Sequence, residues 1–144
     1  MSAPSAPFIE IYDTTLRDGA QGEGVAFAVE EKLEAARLLD SLGLNFIEGG
    51  WPGANPRDSE FFARARSELR LQRAQLTAFG STAHPASGPE GDANLRALLD
   101  AETEVITIFG KSWTLHVREA LGIALPANLH LIEGSVAFLR RAGR

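Results

Sequence analysis

Phe8-Ile9-Glu10-Ile11-Tyr12-Asp13-Thr14-Thr15-Leu16-Arg17-Asp18-Gly19-Ala20-Gln21 joins an apolar run to a cluster of polar and charged side chains. Phe8 to Asp13 reads as a short buried strand, and the polar residues after it form a loop leading to a helix. Asp13 and Asp18 offer hard oxygen ligands, and Arg17 can grip a carboxylate through two parallel hydrogen bonds. With the hydroxyls of Thr14 and Thr15 and the amide of Gln21, this cluster suits a metal ion and an oxygen-rich substrate. A solvated turn containing a helix cap uses the same residues.

Downstream, apolar residues recur at helical spacing from Val29 to Leu42: Val29, Leu33, Ala36 and Leu39, widened by Ala35, Leu38 and Leu42. Gly43 is placed to end that helix in a left-handed conformation. A strand follows at Leu44 to Glu48, then a turn at Gly49-Gly50-Trp51-Pro52-Gly53. Asn55 and Pro56 read as the N-cap and first position of a second helix, with Phe61, Phe62, Ala65 and Leu69 on its apolar face. Further strands are expected at Ala74 to Phe79 and Val105 to Phe109. Helices are expected at Asn94 to Ala101, Ser112 to Leu121 and Ala127 to Arg141, and a surface loop at His84 to Asp92. The Ser/Ala/Pro tail to Pro7 is expected to be disordered.

Strand and helix thus alternate four times, which implies parallel strands joined by right-handed crossovers. The strands are apolar on both faces, as strands covered on both sides should be. A doubly wound sheet and a (β/α)₈ barrel both satisfy this order. Each strand ends in polar or glycine-rich residues: Asp13 to Gly19, Glu48-Gly49-Gly50, Gly80-Ser81-Thr82 and Gly110-Lys111-Ser112. Parallel strands bring these ends to one rim, where a barrel keeps its active site. No residue-level repeat is visible.

The net charge of −5 disfavours a nucleic-acid partner, and the absence of cysteine excludes disulfides and thiolate chemistry. No apolar run approaches the roughly 20 residues that span a bilayer, and the N-terminus does not read as a signal peptide, so a cytoplasmic location is expected. Gly19, Gly22 and Gly24 lack the dinucleotide-binding spacing, which disfavours NAD or ATP.

Asp13 to Gln21 resembles the opening signature of the 2-isopropylmalate, homocitrate and citramalate synthase family, which is related to hydroxymethylglutaryl-CoA lyase. Ile47 to Pro56 and Phe109-Gly110-Lys111-Ser112-Trp113 are similar to its citramalate synthase branch. The resemblance covers Phe8 to Arg144. It implies the N-terminal half of a metal-dependent catalytic barrel, an α/β fold of about four βα units out of eight. The implied reaction condenses acetyl-CoA with a small 2-oxo acid, pyruvate giving citramalate, in isoleucine biosynthesis, with a divalent Mg, Mn or Zn ion as cofactor. A homodimer is implied for the complete protein.

Carried onto this chain, the resemblance makes Arg17 the residue that binds the 2-oxo acid and stabilises charge on its oxygen, and Asp18 the metal ligand. Gln21 and Glu48 would support the substrate from the same rim; a buried structural hydrogen bond is the other reading of Glu48, and an ion pair with Asp13 or Asp18 that of Arg17. Phe79 and Phe109 would shape an apolar pocket or simply pack the core. Lys111 would meet an anionic substrate or simply start a helix, and Trp51 and Trp113 would pack the rim. The family's paired histidine ligands have no counterpart, since His84, His116 and His130 are the only histidines and His116 reads as structural. Alternatives are a 2-isopropylmalate or homocitrate synthase, an acyl-CoA lyase, or a non-catalytic half-barrel that only self-associates.

Overall fold

The computed structural model describes residues 8–144, so the expected disordered tail lies outside the described residues. Four strands, β1 (Tyr12–Asp13), β2 (Phe46–Gly50), β3 (Gln75–Ser81) and β4 (Val105–Phe109), form one parallel sheet in the order β1-β2-β3-β4. Every strand lies beside its predecessor. A doubly wound sheet reverses its direction of growth at a switch point, whereas a barrel wall does not. The order therefore selects the barrel arc that sequence pattern alone left open.

Between and after the strands run α1 (Val29–Ser41), α2 (Pro56–Glu68), α3 (Gly88–Gly91), α4 (Ala93–Asp100), α5 (Thr114–Glu119) and α6 (Leu125–Arg141). The core lies between the helices and one face of the sheet, where Ile47 and Ala78 join Leu33, Phe61, Phe62, Leu95 and Leu98 in one buried cluster. Side chains alternate across a strand, so Tyr12, Glu48, Thr77, Phe79, Thr107 and Phe109 share the opposite face. That face carries the polar groups.

Local signals start and stop the helices, those at Asn55, Pro56 and Gly43 as expected. The Asn55 side chain accepts from the Arg57 N–H at 3.0 Å with Pro56 in first position, and Asp92 accepts from Leu95 N–H at 2.9 Å. Gly43 ends α1 at φ 82°. Gly49, Gly80 and Gly110, near the ends of β2, β3 and β4, are where helices approach the backbone. A Cβ there would fall 2.7 Å from Phe61, 2.9 Å from Leu98 and 2.9 Å from Ile132.

Several boundaries differ from expectation. Only Tyr12–Asp13 pairs in the first strand, and Phe8 and Ile9 are 83% and 75% exposed rather than buried. Pairing with β2 begins at Phe46, so the backbone before Ile11 has no neighbour to bond. Gly49-Gly50 and Gly80-Ser81 belong to their strands instead of following them. Every residue of β4 is only partly buried, because no strand pairs with its far edge among the described residues. The expected loop at His84–Asp92 contains α3, whose Pro89 packs against α6 beside Gly134. No helix among the described residues is long and apolar enough to cross a membrane.

Asp40, buried near the end of α1, pins the entry to β3 by accepting from the backbone N–H groups of Gln72, Arg73 and Ala74 at 2.8, 2.9 and 2.7 Å. Burial pushes its carboxyl up, but the three N–H groups outweigh it and hold it below the ordinary value. A lowered folded-state value stabilises the fold above the ordinary carboxylate range, and that contribution is lost as pH falls below about 4. Asp40→Asn is expected to cost about 1–3 kcal/mol at neutral pH, with the difference from the parent shrinking in acid. Urea titrations at several pH values check this; a pH-independent difference would refute it.

Candidate active site

Arg17 is the centre of the polar face. Its Nε donates to Glu48 Oε1, its Nη1 donates to Asp18 Oδ1 at 2.8 Å, and its guanidinium carbon lies 3.9 Å from the centroid of the Phe79 ring. The first-turn bonds from Arg17, Asp18 and Gly19 N–H to Thr14 C=O place Arg17 just past the end of β1. Asp13 is occupied elsewhere, accepting from the Thr15 N–H and hydroxyl at 3.0 Å each. Nη2 and one hydrogen of Nη1 have no partner among the described residues, so one edge of the guanidinium is free for a bound anion.

Glu48 is 1% exposed, with both oxygens engaged: Oε1 by Arg17 and Oε2 by the Tyr12 hydroxyl at 2.6 Å. Burial, reinforced by donation to this carboxylate, pushes the Tyr12 phenol up to about 12. Glu48 is thus a buried carboxylate, as its structural reading expects, and it holds Arg17.

Phe79 and Phe109 stack with centroids 5.5 Å apart, and the Trp51 indole meets both edge-on at 5.6 and 5.8 Å. Trp51 Nε1 donates to Asn94 Oδ1 at 2.6 Å, which fixes the ring. These three aromatics form an apolar wall beside Arg17, whose guanidinium lies over the Phe79 ring. Gln21 is exposed and lines a cleft of about 350 Å³ together with Arg17, Trp51 and Asn55. A cavity of about 290 Å³ at the opposite end of β3, between α2 and the residues entering β4, holds none of the expected site residues.

Lys111 stands with Nζ 5.4 Å from the Phe109 centroid, at the edge of the same group. The Asp18 side chain is 63% exposed and has one hydrogen-bond partner, Arg17. It supplies one hard oxygen ligand, whereas zinc takes about four ligands and magnesium or calcium about six or more. Among the described residues no three His, Cys, Asp or Glu side chains converge to hold an ion. The donor set between residues 8 and 144 is therefore short of a metal site. Trp113 does not pack the rim: it is 57% exposed, and its ring meets the exposed His116 ring edge-on at 4.6 Å. His116 is thus not a buried structural histidine, because α5 presents it to solvent.

Sequence pattern does not assign Tyr12, Asn94, Lys32 or Asp58 to the site. Tyr12 lies within an apolar run. Lys32 and Asp58 carry a legible signal, since each occupies a core position of its helix. Val29, Lys32, Leu33 and Ala36 follow the same spacing as Asp58, Phe61, Phe62 and Ala65.

Residues 8–144 match the HMGL-like family. The (R)-citramalate synthase of Synechocystis is 52% identical over 93% of this chain and 24% of its own length, and the 2-isopropylmalate synthase of Pyrococcus furiosus is 37% identical over 78% and 21%. The chain spans about a quarter of the length of the curated relatives it matches. The crystal structure of hydroxymethylglutaryl-CoA lyase from Pseudomonas aeruginosa superposes with a TM-score of 0.66 at 19% identity, covering 94% of this chain and 43% of that one. The chain belongs to the HMGL-like family, and its four strands form half of an α/β barrel.

Proposed function

We propose that this chain supplies the N-terminal half of the active site of a citramalate synthase-like acyltransferase, which condenses acetyl-CoA with pyruvate and releases CoA by thioester hydrolysis. The observation that carries the reading is the seating of Arg17: Glu48, Asp18 and Phe79 fix the guanidinium while leaving one edge free. A fixed positive charge at that edge holds the 2-oxo acid and stabilises the alkoxide that develops on its carbonyl oxygen as the carbon–carbon bond forms. Because protein groups already orient the charge, little reorganisation is needed during the reaction. The higher identity to a citramalate synthase than to a 2-isopropylmalate synthase supports pyruvate over a larger 2-oxo acid.

The residues divide the remaining tasks. Trp51, Phe79 and Phe109 wall off water and fit a small apolar substituent such as the pyruvate methyl. Gln21 adds a hydrogen-bonding amide at the cleft, and Lys111 adds a cation toward an anionic substrate or the phosphates of CoA. Asp18 would be one ligand of a divalent cation of the Mg, Mn or Zn kind, which would polarise the 2-oxo carbonyl; the described residues do not bring together the other ligands. The base that deprotonates acetyl-CoA is expected on a later strand of the barrel. The 144-residue chain alone is accordingly expected to be inactive.

A second reading, association without catalysis, is favoured by the edges of β1 and β4, unpaired among the described residues, and by exposed Phe8, Ile9 and Ile11. One experiment separates the two. Residues 8–144 replace the matching quarter of the Synechocystis (R)-citramalate synthase, and CoA release is followed with pyruvate or 2-oxoisovalerate. This segment contributes no cysteine to a thiol assay. The chimera is expected to form citramalate and to prefer pyruvate by about 10–200-fold, the range that small apolar size differences support. A folded chimera that releases no CoA would favour the non-catalytic reading, and a preference for 2-oxoisovalerate would move the assignment to 2-isopropylmalate synthase.

A further inference from the structure

One phenol joins side chains of all four strands. Tyr12 of β1 donates to Glu48 Oε2 of β2 at 2.6 Å, and its oxygen lies 2.9 and 2.8 Å from the hydroxyls of Thr77 in β3 and Thr107 in β4. A phenol has a single proton to give. The carboxylate is the strongest acceptor and makes the shortest bond, so it takes that proton, and the threonine hydroxyls complete the oxygen's surroundings. Glu48 is then held at both ends, by Tyr12 on one oxygen and Arg17 on the other. Without the phenol hydroxyl, Oε2 is a buried acceptor lacking its partner. Such a carboxylate turns to recover a hydrogen bond, and the guanidinium stacked on Phe79 moves with it.

We propose that Tyr12 is a positioning residue, whose hydroxyl sets the Glu48 carboxylate and through it the orientation of the Arg17 guanidinium at the rim. The proposal rests on the reading of Arg17 as the substrate-binding cation, and concerns how that cation is held rather than what it binds. The Tyr12 ring lies against Phe46, with 6.0 Å between centroids.

The test needs no catalysis and uses the 144-residue chain itself. Nitrogen NMR follows the Arg17 Nε–H, identified by the signal lost in Arg17→Lys. Tyr12→Phe keeps the ring and removes only the hydroxyl. Exchange of the Arg17 Nε–H with water is expected to rise about tenfold or more in this variant, while backbone amides of α2 and α4 keep their protection. A Tyr12 that only fills space leaves the Nε–H unchanged, and that result overturns the proposal. Should Tyr12→Phe not fold, Thr107→Val on the edge strand removes one contact of the same oxygen and is expected to accelerate Nε–H exchange by a smaller factor; no acceleration counts against the proposal. An inactive chimera would remove the assigned activity and leave these readouts standing.

Discussion

Arg17→Lys, placed in the active chimera, is expected to lower kcat/KM for pyruvate by about 10²–10³-fold, the loss typical of removing one preorganised charge-stabilising group. Lysine keeps the positive charge and loses everything that orients it. The Nε bond to Glu48, the Nη1 bond to Asp18 and the flat face on Phe79 have no equivalents in an ammonium group on a flexible stem. A second consequence is local: Glu48, buried and still bonded to Tyr12, faces a solvated ammonium that must shed water to reach it. If Arg17 acts chiefly in the transition state, kcat falls with kcat/KM and KM for pyruvate changes little. A variant within about threefold of the parent would show that only the charge matters, and the geometric argument for Arg17 would fail. Steady-state rates at saturating acetyl-CoA decide between these results, with a thermal melt to confirm that the variant is folded.

Much of this site was legible because its residues lie close to strand ends. Arg17 and Glu48 are 31 residues apart, yet Arg17 follows β1 and Glu48 lies within β2, and the parallel pairing of these neighbouring strands brings them together. Asn55, Pro56 and Gly43 marked helix ends correctly because caps depend on local backbone chemistry. The misreadings share a different cause. Phe8 to Ile11 has strand composition, but a strand forms only where a neighbour offers hydrogen bonds, and β2 offers none before its own first residues. Gly49 and Gly80 look like turn residues in isolation; they lie within strands because Phe61 and Leu98 need the space that a side chain would take. Tyr12 shows the same limit, since its partners come from three other strands and no local pattern announces them. Local chemistry is written in local sequence, and the partner across the fold is not.

Asp58→Ala is expected to destabilise the chain by about 3–5 kcal/mol, the usual cost of leaving one member of a buried ion pair alone. Lys32 of α1 donates to Asp58 Oδ1 of α2 at 2.6 Å, and the Lys32 side chain is only 3% exposed. Asp58 Oδ2 also accepts from the Trp51 N–H at 2.8 Å, so one carboxylate ties two helices to the loop leaving β2. Gly50 allows this approach: a Cβ there would lie 2.4 Å from Asp58 Cγ, and the residue adopts φ 151°. Alanine at position 58 strands both the ammonium and the backbone N–H. For a domain of this size the midpoint of thermal unfolding should fall by about 10 °C or more. Lys32→Met combined with Asp58→Leu should lose less than Asp58→Ala alone, because no buried charge remains, although the Trp51 N–H still lacks its acceptor. A loss below about 1 kcal/mol for Asp58→Ala would mean that water reaches Lys32 and that the pair behaves as a surface one. The pair matters to the candidate site through Trp51. Its backbone is held by Asp58 and its indole braces Phe79, on which Arg17 lies, so loosening α2 from this loop should disturb the guanidinium without touching it.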